Sequence, residues 1–148
     1  MVYFILPVKN QGRWVYHFIN ELTVASLLTG DTNFHVVVVD FESQDINMAE
    51  AFNTYLFRSR HTIVNLKGKF YKTLALNEAV ARVPNEHDIL FLYDLHIDVP
   101  VDIVGSVRKV TLIANAIALQ AVFVRVLSIV SDQFEYVTQG LGQTPYFT

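Results

Sequence analysis

The stretch that decides the fold is Asp88-Ile89-Leu90-Phe91-Leu92-Tyr93-Asp94-Leu95-His96. Its nearly unbroken apolar run is typical of a strand that is buried on both faces of a parallel sheet. The run ends in Asp94-Leu95-His96, so two side chains that can bind a metal follow the strand's carboxyl end. Open α/β sheets bind their ligands at that end of the strands. The stretch therefore predicts a nucleotide and metal site centred on Asp94 and His96.

Upstream of this strand, apolar segments alternate with segments of helical periodicity. Strands are predicted at residues 2–8, 34–39 and 61–66, and helices at residues 13–28, 46–58 and 71–83. The second strand is the plainest, because Val36-Val37-Val38-Val39 are all β-branched and favour an extended backbone. This alternation predicts an α/β fold with a mainly parallel sheet, right-handed crossovers and flanking helices.

Helix boundaries and faces follow from single residues. Gly30 is placed to end the first helix in a left-handed cap, and Asp45 is a candidate N-cap for the second. Leu27 and Leu28 are predicted on the buried face of the first helix, and Tyr55 on that of the second.

Beyond His96 the pattern predicts a short helix that ends near Lys109, followed by strands at residues 116–123 and 124–130. Residues 110–130 are apolar enough to raise the alternative of a membrane span. Asn115, Gln120 and Arg125 interrupt them, and an arginine near the centre of a span costs roughly 2.5–3.5 kcal/mol. Buried strands or a core helix are therefore favoured, and no membrane span is expected.

Composition excludes several classes of protein. The chain has 148 residues, of which 52% are hydrophobic and 17% charged, so it is predicted to fold as a single domain rather than to be disordered. Its net charge of −3 and dispersed basic residues argue against a nucleic-acid partner. The absence of cysteine excludes disulfides and thiolate sites. The first seven residues are too short for the apolar core of a signal peptide, so no targeting signal is expected in this chain.

Polar residues follow three of the predicted strands. Lys9 and Asn10 follow the first strand, Asp40 ends the second, and Asp94 and His96 follow the fourth. Parallel strands end at one edge of a sheet, so these side chains are expected to converge there. In an extended backbone Asp94 and His96 would point to the same side, where a carboxylate and an imidazole can bind a divalent cation.

Each of these residues also has an ordinary structural role open to it. Asp40 can end its strand as a turn former, and Asp94 with His96 can form a strand-end turn with a surface histidine. Lys72 and Arg13 bring positive charge suited to phosphates, whereas Lys67 and Lys69 are better explained as a solvated helix face.

The other histidines are assigned no role; they are His17, His35, His61 and His87. The sequence contains no nucleophile elbow, no Walker A loop and no Gly-x-Gly-x-x-Gly motif. Phosphate binding by a glycine-rich loop is therefore not expected.

Together, four segments resemble the metazoan β1,4-N-acetylgalactosaminyltransferases and chondroitin N-acetylgalactosaminyltransferases, which are enzymes of the GT-A fold. The segments are Ile5-Leu6-Pro7-Val8-Lys9-Asn10-Gln11-Gly12-Arg13-Trp14, Val36-Val37-Val38-Val39-Asp40-Phe41, Phe70-Tyr71-Lys72 with Leu76-Asn77, and Phe91-Leu92-Tyr93-Asp94-Leu95-His96. Their order and spacing make the match specific over about residues 2 to 110, and it fades past Lys109.

The resemblance implies roles for individual residues. Asp94 and His96 take the place of the family's Asp-x-Asp or Asp-x-His motif, which binds Mn²⁺. Lys72 stands where relatives usually have an arginine and would face the diphosphate of a UDP-sugar donor, with the charge kept but the bidentate fork lost. The remaining nucleotide-sugar-binding residues implied by the resemblance are Pro7, Val8, Lys9, Asp40 and Phe41.

Departures from the family limit what the resemblance implies. Relatives carry a downstream Gly-Gly-Glu-Asp type motif with the catalytic base, and a later histidine that completes the metal site; neither occurs before Thr148. Ala75 replaces a frequent glycine. The expectation is one GT-A type domain over residues 1–148, incomplete on its C-terminal side, with no catalytic residue within this chain.

The first hypothesis is therefore a chain related to a glycosyltransferase that transfers N-acetylgalactosamine from UDP-N-acetylgalactosamine to a glycan acceptor. This chain would bind the donor without completing the transfer. Family resemblance implies the Golgi lumen, as a type II membrane protein when full length. The alternatives are a doubly wound α/β binding or regulatory domain without metal chemistry, and an unstable fragment that exposes the face its missing half should cover.

Overall fold

Strand β1, Val2–Val8, is the centre of the sheet in the computed structural model, which describes residues 1–117. Strand β2, Phe34–Asp40, pairs with one edge of β1, and β4, Ile89–Leu92, pairs with the other. Strand β3, His61–Asn65, lies beside β2, so the order is β3-β2-β1-β4 and every pairing is parallel. The predicted mainly parallel α/β fold is confirmed.

Within residues 1–117, four helices accompany these strands. They are α1 (Gly12–Thr29), α2 (Met48–Ala51), α3 (Lys72–Val80) and α4 (Ile103–Ile117). Residues of α1, α2 and α4 share one hydrophobic core with one face of the sheet, whereas α3 packs on the opposite face. The sheet is therefore covered on both faces, which explains why β1 and β2 read as continuous apolar runs.

Phe4 lies at the middle of the larger core. Its ring packs edge-on against Phe18 of α1, Phe34 of β2, and Phe91 and Tyr93 at β4, with ring centroids 5.7 to 6.2 Å apart. Edge-on aromatic pairs of this kind contribute about 0.5–1.5 kcal/mol each beyond the burial of their area. This cluster fixes α1 and β4 against β1, and so positions the ends of those elements.

Helix α1 ends as expected, but its buried face differs from the prediction. Gly30 adopts φ 70° and its N–H bonds to the Ser26 carbonyl at 2.9 Å, which is the predicted left-handed cap. Leu27 and Leu28, predicted as buried, are 79% and 68% exposed. The buried row continues from Leu22 to Ser26, four residues on, so the two leucines fall on the outer side.

The second predicted helix, at residues 46–58, is wrong in length. Only α2 forms, and turns follow it. Its N-cap is Asn47, whose side chain accepts a hydrogen bond from the Glu50 N–H, and not Asp45. Tyr55, predicted on the buried face, is 97% exposed, whereas Phe57 is fully buried.

The last described element is longer than predicted. Helix α4 continues past Lys109 to Ile117, so the strand predicted from residue 116 is wrong for residues 116–117. The remainder of that strand, and the one predicted at residues 124–130, lie outside the described residues. Among the helices of residues 1–117, none is long and apolar enough to cross a membrane.

Candidate functional site

The strand order creates a crevice at the carboxyl edge of the sheet. The chain adds β2 and β3 on one side of β1 and then returns to add β4 on the other, so the connections diverge between β1 and β4. In open parallel sheets this divergence leaves a crevice in which ligands bind. Lys9 directly follows β1 and Asp94 lies two residues after β4, so both lie beyond the carboxyl ends of these two strands.

Asp94 and His96 are brought together by a turn rather than by an extended strand. Strand β4 ends at Leu92, and the Ile97 N–H bonds to the Asp94 carbonyl at 3.1 Å. One carboxylate oxygen of Asp94, Oδ1, accepts bonds of 3.0 Å from both the backbone N–H and Nδ1 of His96. The predicted proximity is thus present, but the predicted reason, alternation along a strand, is wrong.

The surroundings of Asp94 favour its charged form. Its pKa is lowered, chiefly because the His96 backbone N–H donates to it; partial burial opposes this, and the His96 side chain and the charge of Lys72 add to the lowering. Lys72 is the first residue of α3. Asp94 and His96 are therefore in contact, and Lys72 is near enough for its charge to act on Asp94.

Trp14 of α1 lies next to the Asp94–His96 pair. Its ring lies edge-on to the His96 imidazole, with centroids 4.9 Å apart, and its other neighbour is His17 at 5.8 Å. The Arg13 guanidinium lies 5.3 Å from the Trp14 ring. Aromatic packing thus holds the His96 ring while about half of its side chain stays exposed to solvent.

The Asp94–His96 pair has the donor set and spacing of two ligands of one cation. Two ligand atoms that bind one ion at about 2.1 Å, at a right angle, are about 3.0 Å apart. The separation of Asp94 Oδ1 and His96 Nδ1 is 3.0 Å. A carboxylate oxygen and an imidazole nitrogen suit first-row divalent ions, including Mn²⁺. The residues present therefore fit two of the positions around such an ion.

The predicted nucleotide residues at the end of β1 are held by backbone contacts. Lys9 Nζ donates to the Gly68 carbonyl at 2.8 Å, which bridges the end of β1 to the loop before α3. Val8 is fully buried, and its carbonyl accepts a 2.9 Å bond from the Phe41 N–H. Pro7 is half-buried. These three residues line the same edge, and their role in binding a nucleotide stays a prediction.

Asp40 lies on the far side of β1 from Asp94. Asp40 pairs with Val8, whereas Leu92 at the end of β4 pairs with Ile5. Asp40 therefore stands two strand spacings, or about 10 Å, across the sheet from β4, and about 10 Å further along the strands than the end of β4. Asp40 is buried, and its Oδ1 accepts a 3.1 Å bond from the Ser43 N–H. Phe41 is fully buried against Phe70, with ring centroids 5.2 Å apart.

A cleft of about 430 Å³ opens beside Asp40. Its other walls include Ile46, Asn47 and Met48 from the start of α2, and Ile63 and Asn65 from β3. Asp40 is thus both a turn former and part of a cleft wall. Its predicted role with Phe41 at the uridine stays a prediction.

The N-terminus of α1 is capped by a side chain from the loop after β2. Asp45 Oδ2 accepts a 2.8 Å hydrogen bond from the Gly12 N–H. Ser43 Oγ accepts from the Asn10 N–H, and Asn10 Oδ1 accepts from the Gln44 N–H, both at 2.9 Å. The loop after β2 is thereby fastened over the end of β1.

A second group of metal-capable side chains was missed in the sequence. His17 and Glu21 of α1 meet Asp98, which follows the Asp94–His96 turn. His17 Nε2 lies 3.3 Å from Glu21 Oε2 and 3.0 Å from Asp98 Oδ1. The i,i+4 spacing of His17 and Glu21 on a predicted helix was the available signal; Asp98, far along the chain, gave none.

A relative is known among characterised proteins. Over 109 residues, or 74% of this chain, the sequence is 39% identical to mouse N-acetyl-beta-glucosaminyl-glycoprotein 4-beta-N-acetylgalactosaminyltransferase 1. The chain spans about 10% of the length of that relative. No protein-family model and no solved structure matches the chain. Over the matched residues, the chain therefore belongs to the sequence family of the β1,4-N-acetylgalactosaminyltransferases.

Proposed function

We propose that this chain is the donor-binding part of a glycosyltransferase of the GT-A type. Its donor would be UDP-N-acetylgalactosamine, and the complete protein would transfer N-acetylgalactosamine to a glycan acceptor. The observation that carries the proposal is the 39% identity with the mouse N-acetylgalactosaminyltransferase. The parallel sheet, with its crevice between β1 and β4, is the architecture that such a donor site requires.

Different residues at the crevice would bind different parts of the donor. Asp94 and His96 would hold Mn²⁺, which neutralises the diphosphate and stabilises it as a leaving group. Lys72, whose charge already acts on Asp94, would contact the phosphates. Lys9 with Pro7 and Val8 would line the nucleotide pocket.

Asp40, at the end of the second strand, is placed where a nucleoside hydroxyl or base edge is commonly held. Its carboxylate would hold the uridine with Phe41 beside it. Because Phe41 is fully buried, it would act by packing Phe70 and the loop before α3, and not by stacking on the base.

The proposal for this chain is donor binding without transfer. No residue of the site is assigned as the general base that would deprotonate an acceptor hydroxyl. We propose the Golgi lumen as the compartment, on the kinship with the mouse transferase. We also propose that residues 1–148 belong to one GT-A type domain.

Calorimetry with uridine diphosphate and Mn²⁺ tests this proposal. Wild-type protein is expected to bind uridine diphosphate only when Mn²⁺ is present, and Asp94→Ala/His96→Ala is expected to weaken binding by about tenfold or more. The matched control is Glu86→Ala/His87→Ala. This exposed carboxylate–imidazole pair, with atoms 3.7 Å apart, precedes β4 at the opposite end of the strand.

The outcomes separate the proposal from its main rival. If both double variants bind like wild type, or if wild type does not bind, the site assignment is wrong. A binding or regulatory domain without metal chemistry would then be favoured, because Asp40 and Asp94 both accept backbone hydrogen bonds as turn formers do. Circular dichroism of each variant verifies that a loss of binding is not a loss of folding.

A further inference from the structure

We infer that His17, Glu21 and Asp98 form a second divalent-cation site, separate from Asp94 and His96. One imidazole and two carboxylates converge there from two parts of the chain, and their ligand atoms all lie within 4.8 Å of one another. The inference concerns these three residues alone and does not depend on the proposed function.

The spacing of the three groups fits a single ion. Ligand atoms at about 2.1 Å from one ion are about 3.0 Å apart at a right angle and about 3.4 Å apart at a tetrahedral angle. His17 Nε2 lies 3.0 Å from Asp98 Oδ1 and 3.3 Å from Glu21 Oε2. Both separations from His17 therefore already match a single ion, and the Glu21 and Asp98 oxygens lie within 4.8 Å of each other.

The carboxylate of Glu21 is held in place by the backbone. Its Oε2 accepts a 2.6 Å hydrogen bond from the Val99 N–H. Contacts of this kind orient a metal ligand from outside the site. The His17 ring lies against the Trp14 ring, and this contact limits the orientations that the imidazole can adopt. Two of the three ligands are therefore positioned before any ion binds.

Negative charge accumulates around this group. Tyr93 is buried nearby, and its hydroxyl donates to the Ile97 carbonyl at 2.6 Å. The pKa of Tyr93 is raised, first by burial and then by the negative charges of Glu21, Asp98 and Asp94. The carboxylates of Glu21, Asp98 and Asp94 thus place negative charge around Tyr93, which would attract a cation.

The donor set indicates the class of ion. Imidazole with carboxylates suits first-row transition ions such as Zn²⁺, Co²⁺ and Mn²⁺ rather than Ca²⁺ or Mg²⁺, which prefer oxygen ligands alone. In the neutral ring the hydrogen bond from His17 Nε2 to Asp98 requires the proton on Nε2. A cation at Nε2 would replace that hydrogen, with the ring proton moving to Nδ1.

Titration with Co²⁺, followed by visible absorption and by fluorescence, tests the inference. Trp14 is the single tryptophan of the chain and touches His17, so a paramagnetic ion at this site is expected to quench it. To remove the other site, the titration uses Asp94→Ala/His96→Ala as the parent. This parent is expected to keep one Co²⁺ site.

Adding His17→Gln or Asp98→Asn to the parent is expected to weaken Co²⁺ binding by about tenfold or more. Asp98 has a largely exposed side chain, so its substitution leaves folding intact and keeps the test informative. Glu86→Gln/His87→Gln in the same parent is the control and is expected to bind like the parent. The inference is overturned if the parent binds no Co²⁺, or if His17→Gln and Asp98→Asn leave the affinity unchanged.

Discussion

The Asp45 carboxylate caps the N-terminus of a helix that begins 33 residues earlier, through a 2.8 Å hydrogen bond from the Gly12 N–H. In many nucleotide-binding α/β proteins, this first helix N-terminus receives the phosphates. Here the chain supplies its own anion to that position. Under the proposed function, the diphosphate would instead contact the start of α3, where Lys72 lies and the N-cap residue Tyr71 makes no side-chain capping bond.

Replacement of Gly12 is expected to destabilise the fold. A Cβ at this position would lie 2.8 Å from the Ile46 Cβ and 3.0 Å from the Asp45 carbonyl oxygen. Gly12→Ala should therefore lower the free energy of unfolding by about 1–3 kcal/mol, as measured by urea denaturation.

Gly105→Ala is the control for this prediction. A Cβ at Gly105 meets no atom within 4 Å, so alanine in α4 should raise the unfolding free energy by about 0.5–1 kcal/mol. Equal effects of the two substitutions would show that the contact of Gly12 with Asp45 and Ile46 is not close.

Lys72 is expected to contribute to donor binding through its charge. Lys72→Ala should weaken the binding of uridine diphosphate with Mn²⁺ by about tenfold, and Lys72→Arg should bind at least as tightly as wild type, because a guanidinium can contact phosphate oxygens in pairs. Calorimetry gives both values. Lys69→Ala, at an exposed neighbour, serves as control; if it weakens binding equally, the effect is general attraction and Lys72 has no specific contact.

Arg108 and Asp31 should make stability sensitive to acid. Arg108 of α4 donates to both carboxylate oxygens of Asp31, and this contact is the main cause of the lowered pKa of Asp31. A carboxylate with a lowered pKa in the folded state stabilises the protein above its unfolded pKa of about 3.9, and this stabilisation is lost as the pH falls through the folded pKa.

Arg108→Gln should therefore lower the unfolding free energy at pH 7 by on the order of 1 kcal/mol, given the partial exposure of the pair. The difference from wild type should shrink as the pH falls from 5 to 2. Arg82→Gln, in the exposed pair with Glu78, should cost less than about 0.5 kcal/mol. A difference between wild type and Arg108→Gln that stays constant with pH would contradict the role given to Asp31.

Ser26 is expected to be replaceable with a gain in stability. Its hydroxyl is buried, and no hydrogen-bond partner for it occurs within residues 1–117. Ser26→Ala removes this unsatisfied group and should raise the unfolding free energy by about 0.5–1 kcal/mol. Thr111→Val should do the opposite, because the buried Thr111 hydroxyl donates to the Val107 carbonyl at 2.8 Å. A loss of stability in Ser26→Ala would indicate that its hydroxyl is bonded.

The strands could be predicted from sequence because burial on both faces leaves a plain signal. The predicted bounds of β1 are those observed, and β2 differs by one residue, Asp40. The start of α2 could not be predicted because Asp45 and Asn47, two residues apart, are equally good caps. Asp45 is used by α1, and its partner Gly12 is too distant in sequence to be recognised.

The candidate site, too, could be predicted from the sequence only in part. The pairing of Asp94 with His96 was predictable, because residues two apart stay close in either a strand or a turn. Asp98 could not be assigned, because its contact with His17 depends on how the chain after β4 crosses α1. Contacts between distant segments carry no periodic signal, and the structure was needed to find them.

The central position of β1 has a consequence for the order of folding. Its pairing with β2 closes a loop of moderate length, whereas its pairing with β4 waits for residues much later in the chain. Closing the longer loop costs more entropy, and parallel pairings of this kind form slowly. We therefore expect the β1–β4 crevice to be assembled last among the described strands, so that any change that slows the docking of β4 delays the appearance of the Asp94–His96 pair without altering its final geometry.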